Sequence, residues 1–310
     1  MILQTGMMTD IPAFYSEWFM NRIKEGYVLV RNPYHQESVT RYEINPDVVD
    51  LIAFCTKNPY PMLRYMDKLE KYGQYWFVTI TPYGKELEPN VPDKKFVIKC
   101  FRELSGIVGI NSTGWRYDPI IVNNRYTVDY HISAFEKAAS QLAGFTETCI
   151  ISFVDIYEKV KRNAPEIRAV TINEQITIAS AFAEIGNKYG ITVKGCHEDN
   201  ILANCGIDMS GCLNQKVYEK ALGITLEMPK RKSQRECNCF FGTDIGAYNS
   251  CGHFCRYCYA NADVSFVKEN MARHDPKSPF LIGGQMPGDI IRHAEQHSYI
   301  DGQLSLFQEE

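Results

Sequence analysis

Nothing in these 310 residues approaches the roughly 18 to 20 consecutive apolar residues that a membrane-spanning helix needs. Positive charge is also short. Lys and Arg number 33 against 37 Asp and Glu, a formal net charge of −4, so no bulk cationic field draws the chain to nucleic acid or a membrane surface. Any contact with phosphate has to come from a local patch. The opening "MILQTGMMTDIP" has neither a cationic region nor an apolar stretch long enough for a secretory signal, which points to the cytoplasm. Internal repeats and low-complexity linkers are absent as well. Cysteine, by contrast, is plentiful: eleven residues, eight of them between Cys196 and Cys258. In a reducing compartment an odd number reads as thiolate ligands plus buried thiols rather than a disulfide framework.

Short runs rich in β-branched and aromatic residues recur at "MILQTG", "YVLVR", "LIAFCT", "YWFVTIT", "GINSTGW", "CIISFV", "ITVKG" and "CNCFFGTDIG". Helix-like segments separate most of them, at 10–25, 61–72, 94–104 and 173–188. The alternation predicts an α/β fold, a (β/α) barrel of TIM-like or partial form. One barrel domain would span 1–273, with a cysteine-rich region at about 196–260 and a surface-wrapping or mobile tail over 274–310. The basic stretch "MPKRKSQREC" reads as an exposed loop.

The densest signal is "SCGHFCRYCYA", which sets Cys251, Cys255 and Cys258 three and two residues apart. Three thiolates so spaced can turn inward from one tight loop onto three irons of a cubane cluster, leaving the fourth iron without a protein ligand. A tetrahedral zinc site draws more often on two separated pairs, and buried thiols in a helix turn fit poorly beside Gly252, His253 and two tyrosines. The stretch resembles the cluster loop of radical S-adenosylmethionine (SAM) enzymes. That resemblance implies a 4Fe-4S cluster whose open iron chelates SAM, a 5′-deoxyadenosyl radical, and an electron donor such as flavodoxin or ferredoxin. It also places Tyr257 or Tyr259 beside the adenine or the cluster.

In that family the loop follows the first barrel strand, whereas here it follows the last. The upstream chain is similar, segment by segment, to the spore photoproduct lyase branch: "MMTDIP" supplies Thr9 and Asp10, "FCTKNP" supplies Thr56 and Lys57, and "ELEP" supplies Glu88 and Pro89. A circular permutation that carries the first strand and its loop to the end of the chain accounts for the order, because the first and last strands of a barrel are neighbours. Each motif has two readings. Thr9 and Asp10 bind the amino group of SAM, or Asp10 caps a helix; Lys57 neutralises a carboxylate or phosphate, or is a solvated turn lysine. In "WRYDP", Trp115, Arg116, Tyr117 and Asp118 line a polar pocket with Tyr117 and Asp118 as catalytic candidates, or Arg116 and Asp118 simply pair. Ser152 and Asp155 in "SFVD" end another strand similarly.

Outside the triplet, Cys196, Cys212, Cys237 and Cys239 are enough for a second iron-sulfur cluster or a zinc, with His197 or Glu198 as substitute ligands; the alternative is buried thiols. Cys55, Cys100 and Cys149 sit in apolar patterns and read as core. The chain from "TDIPAFY" to "CGHFCRYCYA" resembles the bacterial family known as domain of unknown function 1848, which supplies no substrate.

Two functions follow as expectations. One is a radical SAM-like enzyme acting on DNA or a nucleotide, with Trp115 and Tyr117 stacking on a flipped base. The other is a non-catalytic iron-sulfur or zinc protein with a structural or redox-sensing role. In the tail "GQLSLFQEE", Gln303, Leu304, Leu306 and Phe307 resemble the peptide by which bacterial repair proteins dock on the DNA sliding clamp. The duller reading is that the apolar residues pin the terminus to the barrel.

Overall fold

The β-branched and aromatic runs pair mostly in parallel. In the computed structural model, which describes residues 1–229 and 239–300, the strands are β1 (Ile2–Gln4), β2 (Tyr27–Arg31), β3 (Ser38–Glu43), β4 (Leu51–Thr56), β5 (Gly73–Thr79), β6 (Thr113–Ile120), β7 (Thr148–Phe153), β8 (Thr192–Gly195), β9 (Thr243–Asp244) and β10 (Ile290–His293). Between them run α1 (Ile11–Phe14), α2 (Ser16–Glu25), α3 (Tyr60–Leu63), α4 (Lys94–Val108), α5 (Val128–Leu142), α6 (Glu158–Asn163), α7 (Ile172–Lys188), α8 (Gln215–Leu222) and α9 (Val264–Ala272).

Seven strands form one parallel sheet in the order β8-β7-β6-β5-β4-β1-β9. Its edges are β8 and β9, and no ladder joins them among the described residues, so the architecture is an open α/β sheet. A second sheet, β10-β3-β2, is separate. It takes the run "YVLVR", expected as a barrel strand, because β3 follows within a few residues and pairs with it antiparallel. A short hairpin closes a smaller loop than a parallel crossover does. The segment after α9 wraps the body: β10 pairs with β3, the Trp18 indole N–H donates to the Ser278 carbonyl at 2.9 Å, and the Tyr299 N–H donates to Asp50 at 2.8 Å.

The helix expected over 10–25 is interrupted at Tyr15, where the Ser16 hydroxyl donates back to the Pro12 carbonyl at 2.6 Å, a bond that bends helices. The segment 61–72 is not one helix either: α3 is followed by a separate 3₁₀ turn, Met66–Leu69; of the apolar stripe Met62, Leu63, Met66 and Leu69 that marks it as helix-like, all but the half-buried Leu63 are buried.

The strand period of two sorts the sheet into unlike faces. One face presents Phe54, Trp76, Trp115 and Tyr117 to the helices, where Phe19 of α2, Phe135 of α5 and Phe182 of α7 meet them. The rings of Phe135 and Phe182 stack at 3.8 Å, and both are fully buried. The opposite face sets the polar or ionisable Gln4, Cys55, Arg116, Asp118 and Ser152 among buried apolar residues such as Tyr75, Phe77 and Ile150. Gly6, just beyond β1, lets the chain lie against β4: a Cβ there would stand 2.3 Å from the Cys55 carbonyl oxygen.

Candidate functional site

Parallel pairing of β9 with β1, in register Leu3 to Thr243 and Gln4 to Asp244, delivers the cysteine loop to the C-terminal edge of the sheet. There it meets the turns that follow β1, β4 and β5. The His253 ring shares a 2.8 Å hydrogen bond through Nε2 with Asp10. The Asn90 side-chain amide donates to the Gly252 carbonyl at 2.8 Å, and its backbone N–H donates to the His253 carbonyl at 3.2 Å. Tyr15 donates to the Ser250 carbonyl at 2.6 Å, and the Arg256 backbone N–H donates to the Leu87 carbonyl at 3.0 Å. Within the loop, Asn261 donates to the Cys251 carbonyl at 2.8 Å. Gly252 is pressed against Phe14, whose ring a Cβ would approach to 2.8 Å.

Glu88 is the electrostatic centre of this junction. Its carboxylate, 1% exposed, pairs with Lys57 at 2.8 Å and with Lys94, and accepts hydrogen bonds from Thr81 at 2.7 Å and from Tyr257. Burial alone would raise its pKa, but the charges of Lys57 and Lys94 outweigh it and hold the group at about 2. For Lys57, burial favours the neutral amine and is outweighed by Glu88, so its pKa is raised. Lys94, where burial dominates, is lowered.

The TD and TK residues do reach the cysteine loop, with their polar groups already engaged. One Asp10 oxygen accepts from the Ala13 N–H at 3.0 Å, capping α1, while the other accepts from the Lys57 backbone N–H at 2.7 Å and meets His253. Both alternatives read from "TDIP" therefore concern one carboxylate that the structure uses as helix cap and loop anchor. Lys57 is a buried ion-pair partner rather than a solvated turn lysine. Thr9 is buried, and its hydroxyl has no partner among the described residues. Tyr257 is buried against Glu88, whereas Tyr259 is half-exposed and donates to the Met7 carbonyl. Glu88 stood in the quoted motif without a role, and Asn90, Lys94 and His253 had none; the sequence signal for the first two was their closeness to that motif.

Cys251, Cys255 and Cys258 are half-buried, and burial raises all three thiol pKa values. They stay protonated at neutral pH unless a cation joins them. Among the described residues no three His, Cys, Asp or Glu side chains are already gathered as a cage around a single metal ion.

Tyr117 does not belong to this face. It is buried on the helix side, where its hydroxyl shares a 2.8 Å hydrogen bond with Nδ1 of His131 and its ring packs edge-on to Phe182. Trp115, fully buried, donates to the Ile80 carbonyl at 3.0 Å. Alternation along β6 sends these two aromatics one way and Arg116 and Asp118 the other, so neither ring can stack on a substrate base. Arg116 and Asp118 form the ion pair read as the alternative, and Ser152 donates to Asp118. The Arg116 guanidinium also reaches Cys55 Sγ at 3.7 Å, while its Nε is buried without a partner among the described residues. Cys55 is thus on the same face as this pair, whereas Cys149 is buried as expected.

The other cysteines converge farther along this face. Cys196 follows β8, Cys212 precedes α8 and Cys239 leads into β9; Cys212 Sγ lies 3.5 Å from Cys196 Sγ and 3.4 Å from Cys239 Sγ. Cys237 lies outside the described residues, as do Gln303, Leu304, Leu306 and Phe307. Glu198 accepts from the Phe153 N–H at 2.7 Å, and burial raises its pKa to about 8. His197 is exposed, and Asp155, just beyond β7, accepts from Tyr157 at 2.9 Å.

Among the described residues no helix is long and apolar enough to cross a membrane. Compared with known proteins, residues 2–260 match the model of a family described as Domain of unknown function (DUF1848), and neither a curated protein nor a solved structure matches.

Proposed function

The chain belongs to that DUF1848 family, whose description carries no activity, and on that premise we propose from the site itself that it is a radical SAM-type iron-sulfur enzyme built on Cys251, Cys255 and Cys258. One observation carries the reading: a loop from the far end of the chain is bound to Asp10 and, through Tyr257, to Glu88, at the C-terminal ends of neighbouring parallel strands. Sheet order supports the permutation. If β9 and its loop were placed ahead of β1, the large sheet would run in chain order from one edge to the other. Helices on one face and polar groups set among apolar residues on the other also suit a partial barrel enclosing a reaction space.

The donor set fits a cubane cluster. Three thiols on one braced loop, raised in pKa by burial, need the positive charge of bound metal to ionise, and a cubane gives each thiolate its own iron instead of crowding all three onto one. When bound, the cluster would supply the electron that cleaves SAM to methionine and a 5′-deoxyadenosyl radical. The protein's own contribution is to brace and screen. Asn90 and Tyr15 hold the loop backbone, and Asp10 holds the His253 side chain. Lys57 offsets thiolate charge at Cys255, and Arg116 with Asp118 offers a polar substrate one cation and one carboxylate.

Docking of Gln303, Leu304, Leu306 and Phe307 on the sliding clamp belongs to the same proposal, as does a DNA or nucleotide substrate; both rest on resemblance. The test is anaerobic reconstitution followed by paramagnetic resonance with and without SAM, together with an assay for 5′-deoxyadenosine. The expected outcome is a spectrum that SAM alters, and iron that Cys255→Ala loses. A retained cluster blind to SAM, with no 5′-deoxyadenosine, would leave a non-catalytic iron-sulfur protein.

A further inference from the structure

Cysteines that serve as small apolar side chains contact carbon, as Cys149 does inside β7, fully buried. The trio on the opposite face behaves otherwise. Three segments separated by 16 and 27 residues in sequence bring Cys212 Sγ to 3.5 Å from Cys196 Sγ and 3.4 Å from Cys239 Sγ, short of the closed cage that a bound ion would gather. Cys212 and Cys239 are buried and Cys196 is half-buried. The Cys212 backbone N–H also points at Cys239 Sγ, 3.2 Å away, the kind of donor that stabilises a sulfur bearing negative charge.

Metal–sulfur bonds of about 2.3 Å at tetrahedral angles set neighbouring sulfurs roughly 3.8 Å apart, so Cys212 stands from each partner at close to the spacing a single ion imposes. A cubane would hand each thiolate to a separate iron and spread them. A disulfide would use two of the three and strand the third. The segments are also tied by the Gly195 N–H to the Asp208 carbonyl, 3.0 Å, by the Phe240 N–H to the Leu213 carbonyl, 2.6 Å, and by Tyr218 to the Phe240 carbonyl, 2.8 Å.

We propose that Cys196, Cys212 and Cys239 are ligands of a second, mononuclear metal site for a soft divalent ion such as zinc, distinct from the Cys251–Cys258 loop. Binding would draw Cys196 and Cys239 inward about Cys212, and a fourth ligand beyond these three would complete the tetrahedron. Three thiolates on a divalent ion leave one negative charge in excess. Arg116, whose charge acts on both Cys196 and Cys212, compensates it. The site would clamp the edge strand β8 to the segment that leads into β9, so metal binding and folding are coupled. The proposal does not depend on the radical SAM reading.

The test uses the reduced, metal-free full-length chain under anaerobic conditions, titrated with cobalt(II) as a spectroscopic stand-in for zinc. A thiolate-to-cobalt charge-transfer band with tetrahedral visible transitions is expected, displaced by zinc, and retained in Cys255→Ser. Cys196→Ser and Cys239→Ser should each weaken binding by on the order of 100-fold or more, beyond what losing an outer-shell partner costs. In case those variants fold poorly, zinc-loaded and zinc-free wild type are also compared by peptide-resolved alkylation. Protection of Cys196, Cys212 and Cys239, with Cys205 unchanged, is the expected pattern. A cobalt signal lost in Cys255→Ser but kept in Cys196→Ser would overturn the assignment. So would absence of binding, or mild oxidation to a Cys212 disulfide that zinc does not prevent.

Discussion

Glu88→Gln removes one charge from the junction between the cysteine loop and the sheet while keeping the side chain's size. The wild-type carboxylate falls from an ordinary 4.5 to about 2 in the folded protein, about 2.5 pKa units, worth about 3.4 kcal/mol at 1.36 kcal/mol per unit. Breaking a buried ion pair on one side costs a similar amount, about 3–5 kcal/mol, because Lys57 and Lys94 are left uncompensated. With an unfolding entropy of about 2.1 cal/mol/K per residue, 310 residues give about 0.65 kcal/mol/K, so the expected loss in Tm at pH 7 is about 5 °C. The pH profile makes the test sharper. A carboxylate whose folded pKa lies below its unfolded one stabilises fully above about 4.5 and loses that contribution as pH falls toward about 2. The gap between wild type and variant should therefore be flat above pH ~5.5 and shrink by about 1.4 kcal/mol per pH unit below 4.5. Denaturant titrations at a series of pH values measure it. Equal stability at pH 7, or a gap that does not narrow toward pH ~3.5, would refute the electrostatic account of this junction.

Three further outcomes follow from the same geometry. Asp10→Ala removes the α1 cap and the bond to His253 together and should cost about 2–4 kcal/mol, with faster alkylation of Cys251; unchanged alkylation would mean that the loop is held elsewhere. Phe182→Ala opens a cavity against Phe135 and Tyr117 and should cost about 3–5 kcal/mol in chemical denaturation, and a loss below about 1 kcal/mol would contradict the stacked aromatic layer. In a titration of the sliding clamp, the full chain should bind and a form ending at Gly302 should not; equal binding by both forms, or none by either, removes the docking proposal.

The amino-acid sequence by itself determined what is local or periodic. The C-x3-C-x2-C loop, the parallel β/α alternation and the burial of the Met62, Met66 and Leu69 stripe depend on residues close together in the chain, and all were legible. The alternation along "WRYDP" follows from the same strand period, which sends neighbours to opposite faces and overturns the reading that put all four residues in one pocket. The sequence did not say which pair would face the helices; packing of Phe135 and Phe182 decided that, taking Tyr117 and Trp115 with it and leaving Arg116 and Asp118 opposite. The contacts of Asp10 with His253 and of Glu88 with Tyr257 were decided by pairing β9 beside β1, a contact across more than 200 residues that no local pattern encodes. Four cysteines outside the triplet were visible as a residue type. That Cys212 comes close to both Cys196 and Cys239 is set by where β8, the turn before α8 and the approach to β9 end in space, because long-range sheet pairing fixes positions that composition and spacing cannot.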